Sequence, residues 1–156
     1  MNKEHHYKTT IEWTGNQGTG TDNYRNYERS HTISVENKPI IEGSSDPAFR
    51  GDKTKHNPED MLLSSLSSCH MLWYLHFCSV EGVIVTAYTD NATGIMVEET
   101  NGSGHFSEVT LNPTVTVSDE SMIEKAKELH YKANEFCFIA KSVNFPVKHI
   151  PVVLVK

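Results

Sequence analysis

Cysteine is scarce in this sequence: three in 156 residues, at Cys69, Cys78 and Cys137. An odd count excludes a complete intramolecular disulfide framework, so stability must come from a packed core, which a chain of this length can build. Positive charge is also in short supply. Fourteen Lys and Arg against twenty Asp and Glu give a net charge of -6, and no basic stripe is present for a general nucleic-acid binder. Long apolar runs are absent too. The longest stretch without a formal charge, Met61 to Val80, has the length of a bilayer span but holds Ser64, Ser65, Ser67, Ser68, Ser79, His70 and His76, so it reads as a helix enclosed by protein. Met1 to His6 leads into polar sequence rather than an apolar signal core, which makes a reducing cytoplasm the default expectation. There a cysteine pair is more often catalytic than structural. Repeats, low-complexity tracts and linkers are not visible, and residues 1–156 are expected to form a single domain.

What is present alternates between strand and helix patterns. Tyr7 to Trp13, His31 to Val35 and Pro39 to Ile41 carry β-formers and read as three antiparallel strands, with the glycine-rich Gly15 to Thr21 as a loop. Glu42 to Lys55 lacks a period and reads as a loop. Asn57 is a capping residue, Pro58 suits the first helical position, and Glu59 and Asp60 match the positive end of the helix dipole. The helix they open is expected to run to about Ser79, before Gly82. Leu62, Leu66, Cys69, Trp73 and Phe77 make one stripe along it, and Leu63, Met71, Leu72 and Leu75 fill much of the rest. Val83 to Val97, broken near Asn91-Ala92, and His105 to Val117 read as strands joined by the loop Asn101 to Gly104. Ser118 or Asp119 caps a second helix to about Cys137, with Met122, Ala126, Leu129 and Ala133 as its apolar face. A helical turn and a closing strand, Ile150 to Val155, complete an α+β pattern.

Cys69 and Cys137 each fall in a segment read as helix. Two such thiols can be inert core residues, or a peroxide-attacking thiol and the thiol that resolves it. The wider motifs bear on that choice. Asn57-Pro58-Glu59 opens a helix with Cys69 ten residues after the glutamate, and a second cysteine ends a later helix. With Ser45 to Asp52, Cys69 to Tyr74 and Asn134 to Ser142, the chain resembles the OsmC/Ohr family, osmotically inducible and organic-hydroperoxide-resistance proteins, along nearly its whole length, in the OsmC-like branch. The resemblance implies an OsmC-like fold of antiparallel sheets with two main helices, in an intertwined homodimer whose sites lie at the subunit interface. It implies a cysteine-based peroxidase that reduces organic hydroperoxides without metal or prosthetic group and is recharged by a dithiol such as a dihydrolipoyl group. Cys69 then maps to the peroxidatic thiol, Cys137 to the resolving thiol, Glu59 to the acidic partner and Arg50 to the arginine.

The chemistry itself makes demands on these residues. Thiolate, not thiol, attacks a peroxide, and burial alone opposes ionisation. Cys69 lies about three turns into its helix, beyond the reach of the dipole, which fades within the first turn. A cation must therefore approach. Arg50 suits because guanidinium stays charged and can serve sulfur and the Glu59 carboxylate together; Arg25 is its rival. Glu59 and Cys69 are about 15 Å apart by helical rise, so a second subunit could supply the carboxylate. The bland readings are a solvated loop arginine, a first-turn dipole carboxylate and core cysteines. Cys78, nine residues after Cys69, falls on the opposite helix face and reads as core. Neither His70 with His76 nor Cys69 with His76 has the i, i+4 spacing of a helical metal pair, and no metal site is expected. Two rivals to the peroxidase remain open at this point: a non-catalytic dimer of the same fold that binds a small hydrophobic ligand or senses redox state, and a cysteine hydrolase.

Overall fold

The computed structural model describes residues 3–156 and divides into two compact units, residues up to Met61 and Leu62–Lys156. In the first unit, β1 (Thr10–Trp13), β2 (His31–Ser34) and β3 (Ile41–Gly43) form an antiparallel sheet in that order. The third strand starts where its expected span ends, because Pro39 has no N–H to give to a ladder. The long β1–β2 loop is ordered from within. Trp13 Nε1 donates to the Glu28 carbonyl at 2.8 Å. The Arg29 guanidinium lies over the rings of Tyr24 (4.3 Å) and Tyr27 (4.2 Å) while donating to both their carbonyls. Between Glu42 and Lys55, Pro47–Phe49 makes one 3-10 turn, capped when Asp46 accepts from the Ala48 N–H at 2.7 Å.

Helix α1 (Pro58–Val80) starts at the expected signal, with Asn57 Oδ1 accepting the Asp60 N–H at 2.7 Å. In the second unit follow β4 (Val85–Asp90), β5 (Thr93–Glu98), β6 (Gly104–Leu111), β7 (Pro113–Val117), α2 (Ile123–Phe136), β8 (Val147–His149) and β9 (Val152–Val155). They form two sheets, β4-β7-β9 and β5-β6-β8. The run read as one strand from His105 to Val117 is therefore two, divided at Asn112. Both divisions are pinned together: Asp90 accepts the Asn112 N–H at 2.7 Å, and Asn112 Nδ2 donates to the Asn91 carbonyl at 3.0 Å. The closing strand starts at Val152, two residues after its expected Ile150, and β8, which the sequence reading left out, precedes it across Ile150-Pro151. β8 and β9 lie parallel to β6 and β7, so the expected antiparallel sheets carry parallel edges. β8 is too short for its alternation to show in the sequence.

Helix α2 is led in by a 3-10 turn, Glu120–Met122, capped by Asp119. Ala126, Leu129 and Ala133 on its inner face pack with Tyr74, Phe77 and Cys78 of α1 and with Val115 and Val117 of β7. A second cluster holds Leu66, Val109 and Leu111. The stripe expected on α1 is displaced by one position. Its buried line is Leu66, His70, Tyr74, Phe77 and Cys78, whereas Cys69 and Trp73 are half-buried and Leu72 is exposed. Two polar side chains, His70 and Tyr74, occupy the inner line because their partners lie on other elements, which no periodicity of α1 can reveal. Among the described residues no helix is long and apolar enough to cross a membrane.

Candidate active site

Cys69 sits in the middle of α1, half-buried, and Cys137 is the residue at which α2 ends. Sixty-eight residues apart in sequence, their thiols are neighbours in the second unit, close enough for Cys69 to perturb Cys137. Three local features place Cys137. Helix α2 stops there as the backbone turns extended (ψ 108°), the Ala140 N–H donates to its Sγ at 3.4 Å, and the side chain is only 1% exposed. Burial pushes the Cys137 thiol up to about 11, and the neighbouring Cys69 thiol adds to the rise against the opposing backbone N–H groups of Ala140 and Ile139. Cys137 is therefore a protonated thiol at neutral pH, held against a more accessible one. All three cysteines are free. Cys78 lies apart in the core, as its position half a turn round the helix implies, with burial raising its pKa and the Tyr74 hydroxyl as its neighbour.

Aromatic side chains flank the dithiol. Trp73, one turn beyond Cys69, packs on Phe77 (5.4 Å), Phe136 (5.5 Å) and Phe138 (5.4 Å). Phe136 and Phe138 bracket Cys137, and Phe138 remains 68% exposed. Leu72, Trp73 and His76 line an open recess of about 280 Å³. A larger cleft of about 490 Å³ runs along the serine face of α1, bounded by Ser64, Ser67, Ser68 and Met71 and by Tyr88 to Ala92.

The other two candidates belong to the first unit or its boundary. Arg50 follows the 3-10 turn in the left-handed conformation, φ 65°, and Gly51 after it has no room for a Cβ, which would stand 1.6 Å from the Ser45 carbonyl oxygen. Arg50 lines a cavity of about 270 Å³ with Glu28, Arg29, Ser30, Ser44, Gly51 and Asp52. Arg29 thus shares this cavity, whereas Arg25 lies on the exposed part of the loop. Arg29 escaped the sequence reading because nothing local marks it; its tyrosine clamp exists only in the folded loop. Glu59, in the first turn of α1, has one carboxylate oxygen, Oε2, buried without a hydrogen-bond partner.

Two helices against small twisted sheets, with one accessible and one buried thiol facing each other, define an α+β protein carrying a dithiol site. The chain belongs to the OsmC-like protein family, whose model matches residues 51–150. Solved structures agree along the full length. An OsmC-like protein of unknown function from Vibrio cholerae is 29% identical, with a TM-score of 0.85 covering 96% of this chain and 100% of that one. An organic hydroperoxide resistance protein from Elizabethkingia anophelis is 16% identical (TM-score 0.71, all of both chains). The organic hydroperoxide resistance protein OhrB of Bacillus subtilis is 19% identical (TM-score 0.63, 97% and 98%). These last two show the same fold. No functionally curated protein matches the sequence.

Proposed function

We propose that this chain is a thiol-dependent peroxidase that reduces organic hydroperoxides, with Cys69 as the attacking and Cys137 as the resolving cysteine. The observation that carries the reading is the asymmetric thiol pair: Cys69 half-buried, Cys137 buried, protonated and its neighbour. Cys69 thiolate attacks the outer peroxide oxygen, the O–O bond breaks, and the departing alkoxide takes up a proton to leave as an alcohol. The Cys137 sulfur then attacks the Cys69 sulfenic acid, forming an S–S bond and releasing water. An external dithiol, for which a dihydrolipoyl group is suitable, reduces the disulfide. Trp73, Phe136 and Phe138 offer apolar surface for the organic tail of the substrate. The relatives described as organic hydroperoxide resistance proteins point to the same substrate class.

In this reading Arg50 assists ionisation of Cys69 and Glu59 orients the arginine. The partnerless Glu59 oxygen favours the second role, because a buried carboxylate oxygen is costly unless a donor reaches it. The chain acts as one domain of a cytoplasmic homodimer. The test is stopped-flow turnover with an alkyl hydroperoxide and with hydrogen peroxide, followed by mass spectrometry of the oxidised protein. Faster turnover of the alkyl substrate with a Cys69–Cys137 disulfide as product is expected, and Cys69→Ser is expected to abolish it. Unaltered thiols after peroxide treatment would favour the hydrophobic-ligand binder instead.

A further inference from the structure

Five buried polar atoms of the second unit have no nitrogen or oxygen partner: His70 Nδ1, His130 Nε2, His149 Nε2 and the hydroxyls of Tyr74 and Tyr88. They belong to one cluster built from α1, α2, β8 and β4. His70 and His130 are wholly buried and bond to each other, His70 Nε2 to His130 Nδ1 at 3.0 Å, with ring planes 6° apart. Tyr74 stacks on His130 at 3.8 Å, and His149 stands 5.6 Å from the His70 ring and 6.3 Å from that of His130. Among the described residues no three His, Cys, Asp or Glu side chains stand in metal-holding geometry.

A neutral pair of this kind makes one hydrogen bond. Whichever ring donates, an N–H is left on one and a bare lone pair on the other, both buried. Two apolar side chains would fill the same space without that cost, so the pair needs a reason to be there. Its place in the fold supplies one. His70 directly follows Cys69 in α1, and His130 lies in α2 seven residues, about 10 Å of helical rise, before Cys137. Apolar contacts such as Phe77 with Leu129 and Ala133 are non-directional and permit one helix to slide on the other. A hydrogen bond between ring nitrogens is directional and fixes the register.

We propose that the His70–His130 hydrogen bond is a positioning contact that sets α1 against α2 and so holds the Cys69 and Cys137 thiols within bonding reach. The inference rests on the reading of those cysteines as a redox pair. Burial first, then the neighbouring histidines, push His70 down to about 4 and His130 to about 3. The titratable groups facing the pair are His149 from β8 and Tyr74 from α1, with Cys78 of α1 and Tyr88 of β4 behind Tyr74, and Asp90 beside Tyr88. Both rings are thus neutral at pH 7. Protonating both turns the two facing nitrogens into donors and breaks the contact.

The experiment is the equilibrium of the Cys69–Cys137 pair with glutathione at pH 7: the two protein thiols give an S–S bond and two protons as oxidised glutathione is reduced to two thiols. His130→Ala is expected to lower the equilibrium constant for disulfide formation about tenfold, a potential about 30 mV less negative for two electrons. His130→Asn, which offers an acceptor where Nδ1 stands, is expected to stay within about threefold of wild type on that scale. Phe106→Leu, a truncation in the second apolar cluster, which holds neither histidine, is expected to leave the constant unchanged. If His130→Ala does not fold, His130→Gln, whose amide reaches the Nε2 position instead, takes its place and is expected to shift like alanine. An alanine or glutamine variant matching wild type overturns the positioning role while leaving the peroxidase reading intact. A wild-type protein that never forms the Cys69–Cys137 bridge overturns both.

Discussion

At the scale of the residue, the two thiols are set apart by exposure. Cys137 is shut in and its pKa is raised by burial and by the neighbouring Cys69 thiol, which suits a group that waits for a sulfenic acid rather than attacks a peroxide. Replacing it with serine is therefore expected to permit one turnover and then strand Cys69 as sulfenic acid, which further peroxide carries to the sulfinic form. Mass spectrometry of the treated variant checks this, and a persistent Cys69–Cys78 bridge would move the resolving role from Cys137 to Cys78. Arg50, Arg29 and Arg25 are separated by a second measurement. Losing a cation that stabilises the thiolate slows alkylation of Cys69 at neutral pH, with recovery as pH rises. Arg50→Met is expected to behave in this way and Arg25→Met like wild type; Arg50→Lys restores only part, because ammonium lacks the planar fork. A shift in Arg29→Met with none in Arg50→Met would move the role to the tyrosine-clamped arginine.

At the scale of the element, α1 depends on its start and on its buried line. Asn57 holds the Asp60 N–H, and Asn57→Ala is expected to cost about 1 kcal/mol of stability, read from the midpoint of denaturant unfolding. The histidines of the α1–α2 contact make stability depend on pH. Their folded pKa values, about 4 and about 3, lie below the ordinary 6.5, so between those limits the unfolded chain binds more protons than the folded one. Stability is therefore expected to fall as pH drops below about 6.5 and to go on falling to about 4, by on the order of 3 kcal/mol for His70 alone. Urea midpoints from pH 7 to pH 4.5 check the sign, and His70→Gln is expected to flatten the slope. Helix starts were open to reading because Asn57, Pro58 and Asp119 act on their immediate neighbours. The inner line of α1 was not, since the one side-chain hydrogen bond of His70 goes to a residue sixty positions away.

At the scale of the whole molecule, the proposed homodimer has a direct test. Light scattering at micromolar concentration is expected to give twice the mass of one chain, and a stable, active monomer would refute it. Exposed apolar side chains on the second unit, among them Leu72, Ile95, Val152 and Leu154, are surface that an obligate interface would cover.

By itself the sequence determined what short-range physics controls: three strands and then a capped helix, a hairpin pair, a second capped helix, and two cysteines on helical segments. It also determined the family, because the motifs around Arg50, Cys69 and Cys137 are local strings. Tertiary structure decided what depends on partners distant in the chain. Asn112 divides a strand because Asp90 and Asn91 hold it; the last two strands run parallel because β6 and β7 receive them; and Cys137 faces Cys69 only once α2 has packed on α1. Periodicity tells which face of an element is apolar, but a hydrogen bond or a thiol pair between elements is fixed by where both lie, and only the packed chain sets that.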